Sequence, residues 1–218
     1  MTQPIQVDRS TGGPASERKL RAQGRRTLAK LLDAGLEVFG ERGYHAARVD
    51  DVVRRARTSH GTFYLYFSNK DDLLRALARE CAVEMQDLAD VLGQVTPDKA
   101  GQDELRSWVE GFYRTYTRFG AVIRVWMEDQ VVDVELARMG IEAFATLAAT
   151  LGDRMRAAGE IAGDLPRTGR SDLAPVLLLA MVERLTYFVS SRGLPDDEGS
   201  VLDELAVLAH RGFFGGRP

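Results

Sequence analysis

Between Ser59 and Lys70 the chain places Ser59, His60, Thr62, Tyr64, Tyr66 and Lys70, six side chains that give or take hydrogen bonds, within twelve residues. The chemistry open to them is recognition rather than catalysis. Ser59 and His60 are neighbours in sequence, which is not the through-space pairing of a nucleophile with its base. The three histidines, His45, His60 and His210, are scattered, and none has a partner at metal-ligand spacing. Cys81 falls on an apolar stripe and reads as core rather than as a reactive thiol. Asp50-Asp51 and Asp71-Asp72 stand where helices begin, so they suit the helix dipole better than paired acid and base work. No glycine-rich phosphate loop is present. An enzyme is therefore not expected, and neither is a metal or a cofactor.

The elements that must position these residues are short. Val49, Val52, Val53 and Ala56 fall at i, i+3, i+4 and i+7, on one helical face, with Arg54, Arg55 and Arg57 off it. Ser59 suits the cap of a following helix, since its hydroxyl can accept from a free backbone N–H. Residues 60–67 then predict a compact aromatic helix with Phe63 and Phe67 inward and His60, Thr62, Tyr64 and Tyr66 outward. Asn69 can cap a further helix. Two short helices about a tight turn, the second with a polar outer face, form the helix-turn-helix pattern.

Here the residues resemble a known family. Gly61-Thr62-Phe63-Tyr64, Tyr66-Phe67 and Lys70-Asp71-Asp72-Leu73 resemble the signature of the TetR family of bacterial transcriptional regulators. The run Ala34 to Tyr44 resembles that family's first helix and its closing Gly-Tyr. The resemblance spans residues 25–80. It implies DNA contacts from Ser59, His60, Gly61, Thr62, Tyr64, Tyr66 and Lys70, with base edges met by the start of the second short helix and phosphates by tyrosine hydroxyls and Lys70. Two departures stand out. Arg48 occupies a position where the family has a capping Ser or Thr, so a phosphate contact there would come from its charge. Arg57 occupies the turn where the family has Gly, and a left-handed turn residue costs arginine more than glycine.

The chain has 218 residues, 44% hydrophobic and 28% charged, which suits a soluble globular protein. Its longest fully apolar run, near Ala174 to Val182, is too short to span a bilayer, and its first residues lack a signal-peptide core. A cytoplasmic, nucleoid-associated location with no membrane partner is expected, and one cysteine fits a reducing compartment. Charge is divided: residues 15–79 hold 14 Lys/Arg against 8 Asp/Glu, whereas residues 80–218 hold 14 against 23. A basic part that meets a polyanion and an acidic part with another task follow from that. Arg18, Lys19, Arg21, Arg25 and Arg26 lead into the first helix and suit an arm along phosphates.

The expected organisation is all-α, with about nine helices. Residues 1–16 read as a disordered tail, 17–68 as the helix-turn-helix domain, 69–92 as a linking helix, and 93–218 as a domain for effector binding and dimerisation. Within the last, helices are predicted over residues 103–119, 121–132, 133–158, 171–192 and 201–214. The family resemblance implies an effector pocket there. Trp108, Phe112, Tyr116, Trp126, Met127, Phe144 and Met181 are large enough to line it, with Gln130 and Arg184 to orient a ligand, although the same residues could simply fill a core. The resemblance also implies a four-helix dimer interface. Leu177, Leu178, Leu185, Phe188, Leu205 and Leu208 are its candidates.

The reading is a ligand-responsive transcriptional regulator, most simply a repressor. As a homodimer it binds a near-palindromic double-stranded DNA operator and is released by a small apolar or aromatic effector. A DNA-binding accessory factor without an effector, or an activator, is the alternative.

Overall fold

Apolar residues at helical spacing build eight α-helices in the computed structural model, which describes residues 15–126, 133–162, 173–192 and 197–215. They are α1 (Ala15–Arg42), α2 (Val49–Arg55), α3 (His60–Tyr64), α4 (Lys70–Val91), α5 (Lys99–Trp126), α6 (Val134–Ala162), α7 (Leu173–Arg192) and α8 (Glu198–Phe213). The fold is all-α, with no strand among the described residues. The expected tail at residues 1–14 lies outside them, while Ala15 and Ser16 open α1.

Helices α1 to α3 share one small core. Leu31, Leu32 and Phe39 of α1 meet Val52 and Val53 of α2, Phe63 of α3 and the following Phe67, all buried. Chain reversal after α1 uses Gly43 at φ +76°, the left-handed geometry in which glycine carries no steric cost. From the cap Asn69, whose side chain accepts from the Asp72 N–H at 2.8 Å, α4 runs out of this domain. Its stripe of Leu73, Leu77, Cys81, Met85 and Leu88 packs first on α1, then on α5 and α6.

Helix α5 differs from expectation at both ends. It begins at Lys99, because Asp98 accepts from the Gly101 N–H at 3.2 Å and caps the first turn. Any side chain at position 101 would run into the Thr96 backbone. The break expected near Gly120 does not occur. Ala121, Val122, Ile123 and Val125 continue the buried stripe, and their burial outweighs the roughly 1 kcal/mol that glycine costs inside a helix. One long helix thus runs through residues where two were expected, and the described residues form eight helices where about nine were expected in the whole chain.

In α6, Asp133 caps the first turn by accepting from the Leu136 N–H at 3.1 Å. Helix α7 contains an 18-residue stretch, Leu173–Ser190, long and apolar enough to cross a membrane by length and composition. It carries Glu183 and Arg184 near its middle, and Leu178, Val182, Glu183 and Thr186 are buried against neighbouring helices. Residues 171 and 172, at which the predicted helix was to begin, lie outside the described residues.

Candidate nucleic-acid interface

Helix α3 is five residues long and owes its placement to its ends. Ser59 Oγ accepts from the Thr62 N–H at 3.1 Å, the cap read from sequence. Phe63 and Phe67 anchor the inner side, with ring centroids 5.6 Å apart. His60, Gly61, Tyr64 and Leu65 are left outward, whereas Thr62 and Tyr66 are half-buried. The outer face thus differs from the expected set of His60, Thr62, Tyr64 and Tyr66. Tyr66 turns inward because its hydroxyl donates to the Gly24 carbonyl of α1 at 3.1 Å. Thr62 Oγ1 lies 3.0 Å from Ser59 Oγ. Leu65, missed in the sequence reading, is 82% exposed. Its spacing from Gly61, i and i+4, was the available signal.

His60 Nε2 donates to Asp50 Oδ1 at 2.7 Å, bracing α3 against α2. That hydrogen bond holds the Asp50 carboxyl below the usual carboxylate range. Arg48 precedes α2 and cannot cap it with its side chain, since a guanidinium accepts nothing. Asp51 substitutes: its Oδ2 accepts from the Arg48 N–H at 3.2 Å, and the same nearly buried carboxylate receives Arg54 and, at 3.5 Å, Arg42. The Arg48 residue itself is exposed beside the first turn of α2. In the turn, Arg57 has φ +53°, the left-handed conformation that the sequence departure anticipates.

Lys70 requires a correction. Expected at a phosphate, its ammonium instead donates to the carbonyls of Tyr44, His45 and Ala47 at 2.9, 3.1 and 3.2 Å. It also sits 4.6 Å from the centre of the Tyr44 ring. All three N–H bonds are used to tie α4 to the turn after α1.

Two cavities border this domain. One, of about 340 Å³, lies between α1 and α2 and is lined by Val38, Arg42, Asp51, Arg54, Arg55 and Arg57. It is less cationic than four arginines suggest. Arg55 is paired with Glu37 and Glu41, each at 2.6 Å, and Arg42 and Arg54 share Asp51. The other, of about 270 Å³, lies at the seam with α5, between Phe39, Tyr44 and His45 on one side and Ala121, Arg124 and Val125 on the other.

Neither cavity is lined by the expected effector residues. Trp108, Phe112 and Tyr116 are buried and run ring to ring, with centroids 5.9 and 6.2 Å apart. Trp108 Nε1 donates to the Leu88 carbonyl at 3.1 Å, and Tyr116 donates to Glu183 Oε1 at 3.0 Å. Burial, then the Glu183 charge, raises the Tyr116 phenol well above its ordinary value. Trp126, Phe144 and Met181 are half-buried, and Arg184 is exposed with its guanidinium over Tyr187. Met127 and Gln130 lie outside the described residues. Trp126 Nε1 and Thr186 Oγ1 are buried with no hydrogen-bond partner among the described residues. No group of His, Cys, Asp or Glu among the described residues could hold a metal ion.

The six dimer candidates divide. Leu178 and Leu205, at 0% and 1% exposure, belong to the core of the chain itself, which corrects their assignment. Leu185 and Phe188 are half-buried. Leu177 and Leu208, at 60% and 62%, are exposed, and Leu173 and Val176 share that side of α7.

Comparison with known proteins places this geometry. Residues 31–77 match the family model of bacterial regulatory proteins, tetR family. The fatty acid metabolism regulator protein of Bacillus subtilis is 41% identical over 58 residues, which are 27% of this chain and 30% of that protein. The regulator BetI of Escherichia coli is 29% identical over 98 residues, 45% of this chain and 50% of that one. The chain therefore spans half or less of the curated relatives it matches. Solved structures share the fold more widely. FadR of B. subtilis in complex with stearoyl-CoA superposes with a TM-score of 0.64 at 20% identity, over 84% of this chain and 98% of that one. PfmR of Thermus thermophilus gives 0.67 at 18%, over 83% and 97%, and a TetR regulatory protein of Rhodobacter sphaeroides 0.66 at 23%, over 85% and 97%.

Proposed function

We propose that this chain, whose N-terminal domain belongs to the tetR family of bacterial regulatory proteins, is a transcriptional regulator that binds a near-palindromic operator as a homodimer and is released by a small apolar effector. The observation that carries the reading is the outward face of α3. His60, Gly61 and Tyr64 stand free of the core on a helix braced from behind by Phe63, Phe67 and the Tyr66 hydroxyl. A rigidly mounted short helix with hydrogen-bonding groups on its outer side suits the major groove. Arg48, Arg25 and Arg26 are exposed nearby and suit phosphates.

Dimerisation is supported by the uncovered apolar stripe of Leu173, Val176 and Leu177 on α7, with Leu208 on α8. Two copies related by a twofold would present α3 to successive major grooves about 34–36 Å apart or a multiple of that. For release, α4 is the lever. It begins in the DNA-binding domain and is tied to the start of α6 by Arg75–Asp133 at 2.6 Å and Arg79–Glu135 at 3.1 Å. An effector acts only through different affinities for the operator-competent and released states. Trp126 Nε1 and Thr186 Oγ1 are buried polar groups that a ligand would satisfy. The stearoyl-CoA held by the B. subtilis FadR structure favours an acyl chain as the ligand's apolar part.

A second reading, an accessory DNA-binding factor without an effector, is favoured by the closed ring-to-ring packing of Trp108, Phe112 and Tyr116. One experiment separates the two. The purified chain is sized in solution, used to select duplexes from a random library, and the selected duplex is titrated with and without stearoyl-CoA. A dimer with a palindromic consensus and ligand-weakened binding is expected. Acyl-CoA or fatty acid binding that leaves DNA affinity unchanged would favour the accessory factor. A strict monomer without sequence preference would overturn both.

A further inference from the structure

We infer that Leu65 reads the 5-methyl group of a thymine in each half of the operator, and so sets part of the sequence specificity; the inference rests on the DNA-binding role proposed above. Leu65 is 82% exposed. Among the described residues of α1 to α3 and their connections, it and Tyr64 are the large apolar side chains left in solvent. The other exposed ones lie on α4, α6, α7 and α8.

The placement argues for the occupant. Leu65 caps α3 with right-handed helical dihedrals, φ −74° and ψ −23°, so its side chain continues the face of the helix. Gly61 is four residues earlier on that face. A Cβ added there would meet only Ser59 Oγ, at 3.8 Å. A bare glycine lets the backbone come close to whatever lies opposite, and Leu65 then reaches past it. His60 and Tyr64 flank the pair with hydrogen-bonding groups. An apolar group amid polar recognition residues gains nothing from phosphate oxygens. The one apolar feature on the major-groove edge of a base pair is the thymine methyl.

The test uses the full chain and a duplex selected by the wild type from a random library. Each thymine of the selected half-site is replaced in turn by deoxyuridine, which removes the methyl and nothing else. At one position per half-site the wild type should lose about fourfold in affinity, the factor that burying one methyl-sized group provides. Leu65→Ala, truncating an exposed side chain, should fold normally, bind the parent duplex about fourfold or more weakly, and show no further loss with deoxyuridine. Reselection with Leu65→Ala should relax the consensus at that position alone. Equal affinity of Leu65→Ala and wild type, or uridine losses that persist in the variant, would overturn the inference while leaving the DNA-binding reading intact. Failure of the wild type to select any sequence would remove both.

Discussion

Arg75 Nε donates to Asp133 Oδ2 at 2.6 Å, joining the second turn of α4 to the residue that caps α6. The same carboxylate accepts from the Leu136 N–H, and these two contacts, the backbone one first, hold Asp133 below the usual carboxylate range. A depressed carboxyl contributes stability that is present above its unfolded pKa of about 3.9 and is lost as the pH falls through the lower folded value. Asp133→Asn should keep the cap but lose the charge, so its urea midpoint should fall less than that of wild type on acidification below about pH 4. Asp133→Ala should also lose the cap, costing about 1 kcal/mol at neutral pH. Parallel acid limbs for wild type and Asp133→Asn would contradict the assignment.

Arg57 should be a stability cost written into the turn. At φ +53° a residue with a Cβ is disfavoured by about 1–2 kcal/mol, part of which glycine recovers at the expense of unfolded-state entropy. Arg57→Gly is expected to stabilise by about 0.5–1 kcal/mol, raising Tm by about 1–4 °C for a chain of this size. Arg57→Ala should give no such gain, because alanine retains the Cβ. Differential scanning calorimetry on the three proteins decides it.

Lys70 should matter for folding more than for phosphate contact. Removing an ammonium that serves three carbonyls leaves those acceptors short of a charged donor, and Lys70→Met should cost about 1–3 kcal/mol. In the DNA titration, its plot of log K against log salt should keep the wild-type slope. A slope shallower by about one unit would return Lys70 to the phosphate backbone.

Leu177 and Leu205 should fail in opposite ways. Leu177→Glu places a charge on an exposed site and should leave the subunit folded while yielding monomers by light scattering. Leu205→Ala opens a cavity in the core and should cost about 2–5 kcal/mol in urea without preventing association of the remaining folded chains. A Leu177→Glu variant that stays dimeric would move the interface elsewhere.

The recognition unit was legible because it is local. Caps at Ser59 and Asn69, the apolar spacing of Val52, Val53, Phe63 and Phe67, and a left-handed turn at Arg57 all depend on residues within a few positions of one another. Backbone geometry and hydrogen bonding act at that range, so residue order alone specifies them. The stripes of α4, α5 and α6 were readable for the same reason. Leu73, Leu105, Trp108, Leu147 and Leu151 are buried as their spacing predicts.

What failed was decided at a distance. Tyr66 faces Gly24 across 42 positions, and Lys70 reaches carbonyls more than 20 positions upstream. Neither could be told from an outward hydrogen-bonding group in sequence. Gly120 stayed helical because α5 has buried partners over its whole length, and Leu178 and Leu205 went inside because other helices cover them. Thus the order of residues determined the helix-turn-helix and the inner stripe of each long helix, through short-range backbone hydrogen bonding and periodicity. Only the tertiary structure decided which polar groups and which leucines remain exposed, because burial and long-range hydrogen bonds depend on what the rest of the chain brings alongside.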